Sequence, residues 1–223
     1  MVRALNGYKG LPLEGYLARW YAKITRNSLA EYHQAAAQLD AQVSPGARVL
    51  EVAPGPGYLA IELARLGRCR VSGLDISRSF VEMAAANAQQ AGVSVEFHQG
   101  DAALMPFAND MFDFVICRAA FKNFAQPVRA LDEMHRVLRP AGRALIVDLS
   151  KDASQFEINA HVDAMKLSRA NTAITKWTFK HMLLKRAYGR ADFERMAAES
   201  AFGGCEIQLD SIALDIWLTK PAA

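Results

Sequence analysis

The chain has 223 residues, 52% of them apolar and 22% charged, with a formal net charge of +3 and 3 cysteines. That is enough apolar material for one well-packed domain, and the mild basic excess falls short of the concentrated stripe that nucleic-acid binding requires. No run near 18 apolar residues and no secretory leader pattern occurs, so a cytoplasmic protein without stable membrane insertion is expected. Cys69, Cys117 and Cys205 lack any paired spacing and read as small apolar residues rather than metal ligands.

Two helices are expected ahead of the first strand. Leu13, Leu17, Trp20, Tyr21 and Ile24 fall at helical spacing and form an apolar stripe that needs a packing partner. Ser28-Leu29-Ala30-Glu31 is a capping-box pattern that opens the second helix, where Leu29, Tyr32, His33, Ala36 and Leu39 share a face until Ser44-Pro45-Gly46 ends it. Core packing explains these aromatics, and Tyr16, Trp20 or Tyr21 is also placed to close over a ligand.

Residues 48–52 read as a buried strand ending in Val52, after which Ala53-Pro54-Gly55-Pro56-Gly57 forms a tight loop and Leu59-Ala60-Ile61 begins a helix. The spacing Gly55-x-Gly57-x-x-Ala60, with Asp75 about 20 residues on, also satisfies a loose dinucleotide fingerprint. Two residues argue against it. Glu51 at the strand end would repel a pyrophosphate, and Pro56 removes a backbone N–H from the loop that should cradle one. Both suit a ligand carrying positive charge together with one carboxylate for the helix N-terminus.

The segment Glu51-x-Ala53-x-Gly55-x-Gly57 resembles the glycine-rich first motif of class I S-adenosylmethionine-dependent methyltransferases, with Ala53 standing where that family's first glycine falls. The resemblance implies that Glu51, Ala53, Gly55 and Gly57 hold the methionine part of S-adenosylmethionine. A second strand, 70–74, ends at Asp75, with Ile76 next and Ser77 placed to cap the following helix. A carboxylate there can accept from both ribose hydroxyls, and the family places an acid at that point for this purpose. A third strand, 93–98, leads to Asp101-Ala102, similar to the family's acid-small pair that meets the adenine: Asp101 can accept from its amino group and Ala102 can offer a backbone N–H. The fourth strand, 112–117, delivers Arg118-Ala119-Ala120-Phe121 to the same edge, and Arg118 joins the implied cofactor set.

Residues 127–138 read as a helix with Val128, Leu131, Met134, His135 and Leu138 on one face, with His135 expected in the core. Arg139-Pro140-Ala141-Gly142-Arg143 then reads as a stop and turn before a strand at 144–149. Two last strands, 205–209 and 212–218, are joined by Asp210-Ser211, too short a link for a parallel crossover, so they pair antiparallel. The expected fold is α/β: a Rossmann-like, doubly wound, seven-stranded sheet with an antiparallel last strand and an N-terminal helical cap. One domain, 1–223, is expected, with a cap at 1–44, a core at 45–149 and 191–223, and a lid insertion at 150–190. In that insertion Ile158, His161, Val162 and Met165 share a face, and a second helix is expected over 177–188 with Lys180, His181, Lys185 and Arg186.

The expected activity is methyl transfer from S-adenosylmethionine to a small or medium-sized acceptor, similar to the ubiquinone-biosynthesis-like group. A non-catalytic binding subunit and a nicotinamide-dependent oxidoreductase are the alternatives. Nucleic acid is an unlikely substrate, because the Asn/Asp-Pro-Pro-Tyr/Phe set of base-amino methylation is missing after the fourth strand. No general base is evident; His33, His161 and His181 are the candidates if the acceptor is a hydroxyl.

Overall fold

The computed structural model describes residues 7–9, 13–26, 29–165, 168–179 and 183–222. Ser28 and the basic pair Lys180 and His181 therefore lie outside the described residues.

Helices α1 (Gly15–Thr25) and α2 (Leu29–Asp40) precede strand β1 (Arg48–Val52), followed by α3 (Tyr58–Leu66), β2 (Arg70–Asp75), α4 (Arg78–Ala91), β3 (Glu96–Gln99) and β4 (Phe112–Arg118). Helix α5 (Pro127–Val137), β5 (Leu138–Leu149), α6 (Gln155–Ala164), α7 (Arg169–Thr178), α8 (Leu184–Arg186), α9 (Arg190–Glu199), β6 (Glu206–Asp210) and β7 (Ala213–Thr219) complete the chain. The seven strands form one sheet in the order β3-β2-β1-β4-β5-β7-β6. Strands β1 to β5 pair parallel, and β7 runs antiparallel to both β5 and β6. This is the expected Rossmann-like sheet. The crossover helices pack on its two faces, which is why β1 has the consecutive apolar pair Val49-Leu50 and β4 the run Phe114 to Cys117 rather than an alternating pattern.

One face is filled by Leu50, Val52, Val115 and Ile146 against Leu131 and Met134 of α5 and Phe193 and Met196 of α9. The other is filled by Val49, Ile116 and Leu145 against Ala36 and Leu39 of α2 and Leu59 and Leu63 of α3. The central strands are thus covered on both sides, and the buried carboxyls Glu51 and Asp75 lie where β1 and β2 end.

Three expectations need correction. The stripe of α1 is buried only in part: Tyr21 packs on Phe80, but Leu17 and Trp20 remain more than half exposed, and the fully buried residues are Ala18 and Ala22. Small residues let the helix backbone come close, and the Tyr58 hydroxyl donates to the Ala22 carbonyl at 3.0 Å. Of the helix expected over 177–188, the described residues 177–179 and 183–186 are helical, but α7 begins earlier, after its Ser168 cap, and Tyr188 lies in a bridge with Ser150. Finally, β5 starts at Leu138, before the expected turn. Phe112 pairs with Leu138 and Phe114 with Arg143, so 139–142 form a bulge within the strand, with Ala141 at φ 62°.

Candidate active site

The site is assembled at the C-terminal ends of β1, β2, β3 and β4, where the chain order reverses on the two sides of β1 and a crevice must open. The loop after β1 needs three successive left-handed residues at alternate positions: Ala53 at φ 58°, Gly55 at φ 54° and Gly57 at φ 81°. Ala53 adopts the conformation of the family's glycine at a cost of about 1–2 kcal/mol, and its N–H is held by the Leu74 carbonyl at 2.7 Å. Gly57 is required by space as well, since a Cβ would lie 2.8 Å from Ala84 Cβ and 2.9 Å from Phe97 Cζ. At Gly55 the nearest atom to such a Cβ is Tyr21 Cε1 at 3.9 Å, so this glycine borders open space.

Glu51 is buried at the end of β1. The Ala60 N–H in the first turn of α3 donates to its carboxyl, yet Oε2 has no partner. Burial raises its pKa to about 8 against the partial opposition of that bond and of Arg118. A buried carboxyl with a vacant oxygen is costly unless something else uses it. Asp75, also buried, accepts from Gly55 N–H at 3.0 Å through Oδ2 and from Ser77 N–H at 2.9 Å through Oδ1. Its pKa is pushed up to about 6 by burial, which outweighs these bonds. Asp75 therefore ties the glycine loop to the start of α4, and each oxygen retains a second lone pair for another donor.

Asp101 sits one strand further out, where its Oδ1 accepts from Ala103 N–H at 2.9 Å. It adjoins Asp75 through the Gly100 N–H, which donates to the Asp75 carbonyl at 2.9 Å. Ala102 packs half-buried against the core, and Ile76 is half-buried beside Asp75. Arg118 lies at the end of β4 with its guanidinium 5.2 Å from the centre of the Tyr32 ring. All nine residues expected from sequence thus fall along one sheet edge.

The N-terminal segment crosses that edge. The Leu13 carbonyl accepts from Ser77 Oγ at 2.7 Å, and the Glu14 carboxylate accepts from the Arg78 and Ser79 N–H groups at 3.0 Å each, at the start of α4. Tyr21 stacks edge-on to Phe80 at 5.8 Å, while Tyr16 and Trp20 face away. Burial raises the pKa of Tyr8 and of Tyr21, so both phenols stay protonated. Gly7 rests on Asp101 so closely that a Cβ would fall 2.2 Å from Oδ1.

One group escaped the sequence reading. Lys122 and Asp148 are both buried; Lys122 Nζ lies 2.6 Å from Asp148 Oδ1 and also donates to the Ala119 carbonyl at 2.6 Å, while the Lys122 N–H donates to Asp148 Oδ2 at 2.9 Å. The pair fastens the turn after β4 to the end of β5. The available signal was a lone acid inside the apolar run Leu145-Ile146-Val147-Asp148-Leu149, which must find a partner. Of the histidines, His33 is exposed and bound to Glu62 at 3.0 Å, and His161 packs beside the Phe179 ring. His135 packs edge-on to Phe202, half-buried rather than fully in the core.

Residues 50–146 match the family model described as a methyltransferase domain. A demethylmenaquinone methyltransferase from Deinococcus radiodurans is 37% identical over 120 residues, covering 53% of this chain and 50% of that protein. The uncharacterized methyltransferase YcgJ of Bacillus subtilis is 38% identical over 102 residues, covering 45% of this chain and 40% of that protein. The chain thus spans about half the length of the curated relatives it matches. Among solved structures, a candidate S-adenosyl-L-methionine-dependent methyltransferase from Methanococcus maripaludis superposes with a TM-score of 0.77 at 19% identity, covering 96% of each chain, which establishes the common fold. Sheet order and glycine loop define the class I methyltransferase architecture. Over residues 50–146 the chain is similar to the class I S-adenosylmethionine-dependent methyltransferases, and it shares their fold.

Proposed function

We propose that the chain binds S-adenosylmethionine along the edge from Glu51 to Asp101 and transfers its methyl group to a small or medium-sized acceptor in the cytoplasm. The observation that carries the reading is the buried Glu51 carboxyl with its unpartnered oxygen, set beside a glycine loop that borders open space. A cationic, phosphate-free ligand is what such a pocket accommodates. In this reading Glu51 faces the methionine end, Asp75 accepts from the ribose hydroxyls, and Asp101 and the Ala102 N–H meet the adenine, with Ile76 against its ring and Arg118 bounding the site.

S-adenosylmethionine, when bound, supplies an electrophilic methyl group on a sulfonium that is already a good leaving group. The protein's part is then alignment and exclusion of water. Gly55 and Asp75 fix the loop; Tyr8 and Tyr21 cover it; the Lys122–Asp148 pair holds the turn after β4 rigid. We assign the segment 1–44 as a cap and 150–190 as a lid on the core 45–149 and 191–223, supported by the bonds from Lys9 to the Lys122 carbonyl and to the Tyr188 hydroxyl. The lid lies beyond the family match at 50–146, and we assign the choice of acceptor to it. The names of its relatives make a quinone-type ring the first acceptor to try.

Calorimetry with S-adenosylmethionine and its demethylated product tests the reading. Asp75→Asn should weaken both by roughly 10- to 100-fold, the value of a charge-assisted bond of about 1.5–3 kcal/mol. Unchanged affinity in a variant that melts normally would sink the assignment.

A further inference from the structure

Helix α1 turns its apolar stripe away from the protein. Tyr16, Leu17 and Trp20 are 74%, 55% and 54% exposed, whereas Ala18 and Ala22 form the buried face. At about 100° per residue, the three large side chains occupy a single arc of the helix surface roughly 100° wide. Arg19, Lys23 and the following Arg26, all exposed, lie along one side of that arc. The helix carries no acidic residue, and no described carboxylate pairs with the three cations. The adjacent Glu14 is engaged at the start of α4.

We infer that α1 docks the protein on the surface of an anionic lipid bilayer, with Tyr16, Leu17 and Trp20 in the headgroup layer and Arg19, Lys23 and Arg26 against lipid phosphates. An apolar arc bordered by cations is the pattern of a helix that lies in the interface plane without crossing it. No described helix is long and apolar enough to span a membrane, so the attachment is peripheral. A second copy of the chain fits this face poorly, because a two-fold contact would set the same cations opposite one another. The inference rests on the helix surface alone, not on the methyl-transfer reading. It also places the crevice that α1 overlies next to the lipid.

Sedimentation of the full chain with vesicles of phosphatidylcholine, with and without phosphatidylglycerol, tests the inference. Binding should need phosphatidylglycerol, fall with added salt, and weaken roughly fivefold for each cation removed, about 25-fold for Arg19→Ser with Lys23→Ser. Leu17→Ser with Trp20→Ser should abolish it while leaving the thermal melt in place, because both side chains are already largely solvated. Phe156→Ser, at a position 81% exposed on α6, should leave binding intact. Equal binding to neutral vesicles, no effect of the α1 variants, or an equal loss in Phe156→Ser overturns the inference. So does a concentration-dependent dimer removed by Leu17→Ser with Trp20→Ser in a protein that ignores vesicles.

Discussion

Glu51 shows how far burial can move a single group. Its folded pKa of about 8, against an ordinary 4.5, and that of Asp75, about 6 against 3.8, both mean that the folded chain holds protons the unfolded chain has released. Stability therefore falls as pH rises from about 4 to about 8, and the upper part of that fall belongs to Glu51. Glu51→Gln, neutral throughout and still able to accept from Ala60, should flatten the decline between pH 6 and 8 in urea titrations. Ligand binding runs the other way. A cation favours the ionised carboxylate, so the affinity of the wild-type protein for S-adenosylmethionine should climb towards pH 8 with uptake of a proton by buffer, and Glu51→Gln should bind more weakly without that slope. Calorimetry in buffers of different ionisation enthalpy reads the proton directly; a pH-independent affinity would count against a cation contact. Glu51 and Asp75 were legible because each sits at the end of a mostly apolar strand, and Asp101 because its local pattern with Ala102 follows the next strand. The protonation of Glu51 was not, since it depends on being enclosed by elements distant in sequence. Nor was the Lys122–Asp148 bond, whose partners are 26 residues apart.

At the level of elements, every core strand could be placed within a few residues, because its apolar run is bounded by turn residues. Orientation of the flanking helices could not. Periodicity defines a stripe on α1 but does not say whether large or small side chains face inwards, and here close backbone approach selected Ala18 and Ala22. The same limit applies at 168–171, where the Ser168 cap, not the apolar spacing, sets the start of α7. If cap and lid close together, adding S-adenosylmethionine or its product should slow amide exchange in both 13–26 and 183–188, and deleting residues 1–23 should reduce methyl transfer more than cofactor affinity. Protection restricted to the loops of Glu51, Asp75 and Asp101 would contradict joint closure.

Across the whole molecule, the doubly wound sheet with its antiparallel end was readable from two facts: a run of strands largely alternating with helical stretches, and a last pair joined by too short a link to cross over. The placement of residues 7–9 and 13–14 over the finished edge was not, because it is held by contacts such as Ser77 with Leu13 and Gly7 with Asp101 that join residues far apart in sequence. Gly7 lying on Asp101 has a consequence in time. Gly7 competes with any donor that reaches the half-buried Asp101, so uptake of a ligand that uses this carboxylate is expected to follow the lifting of residues 7–9. In stopped-flow mixing, the observed binding rate should level off as S-adenosylmethionine is raised, at a plateau equal to the lifting rate. Gly7→Ala, whose methyl would press on the Asp101 carboxylate, should raise that plateau; a rate that grows linearly in both proteins would mean the segment never stands in the way.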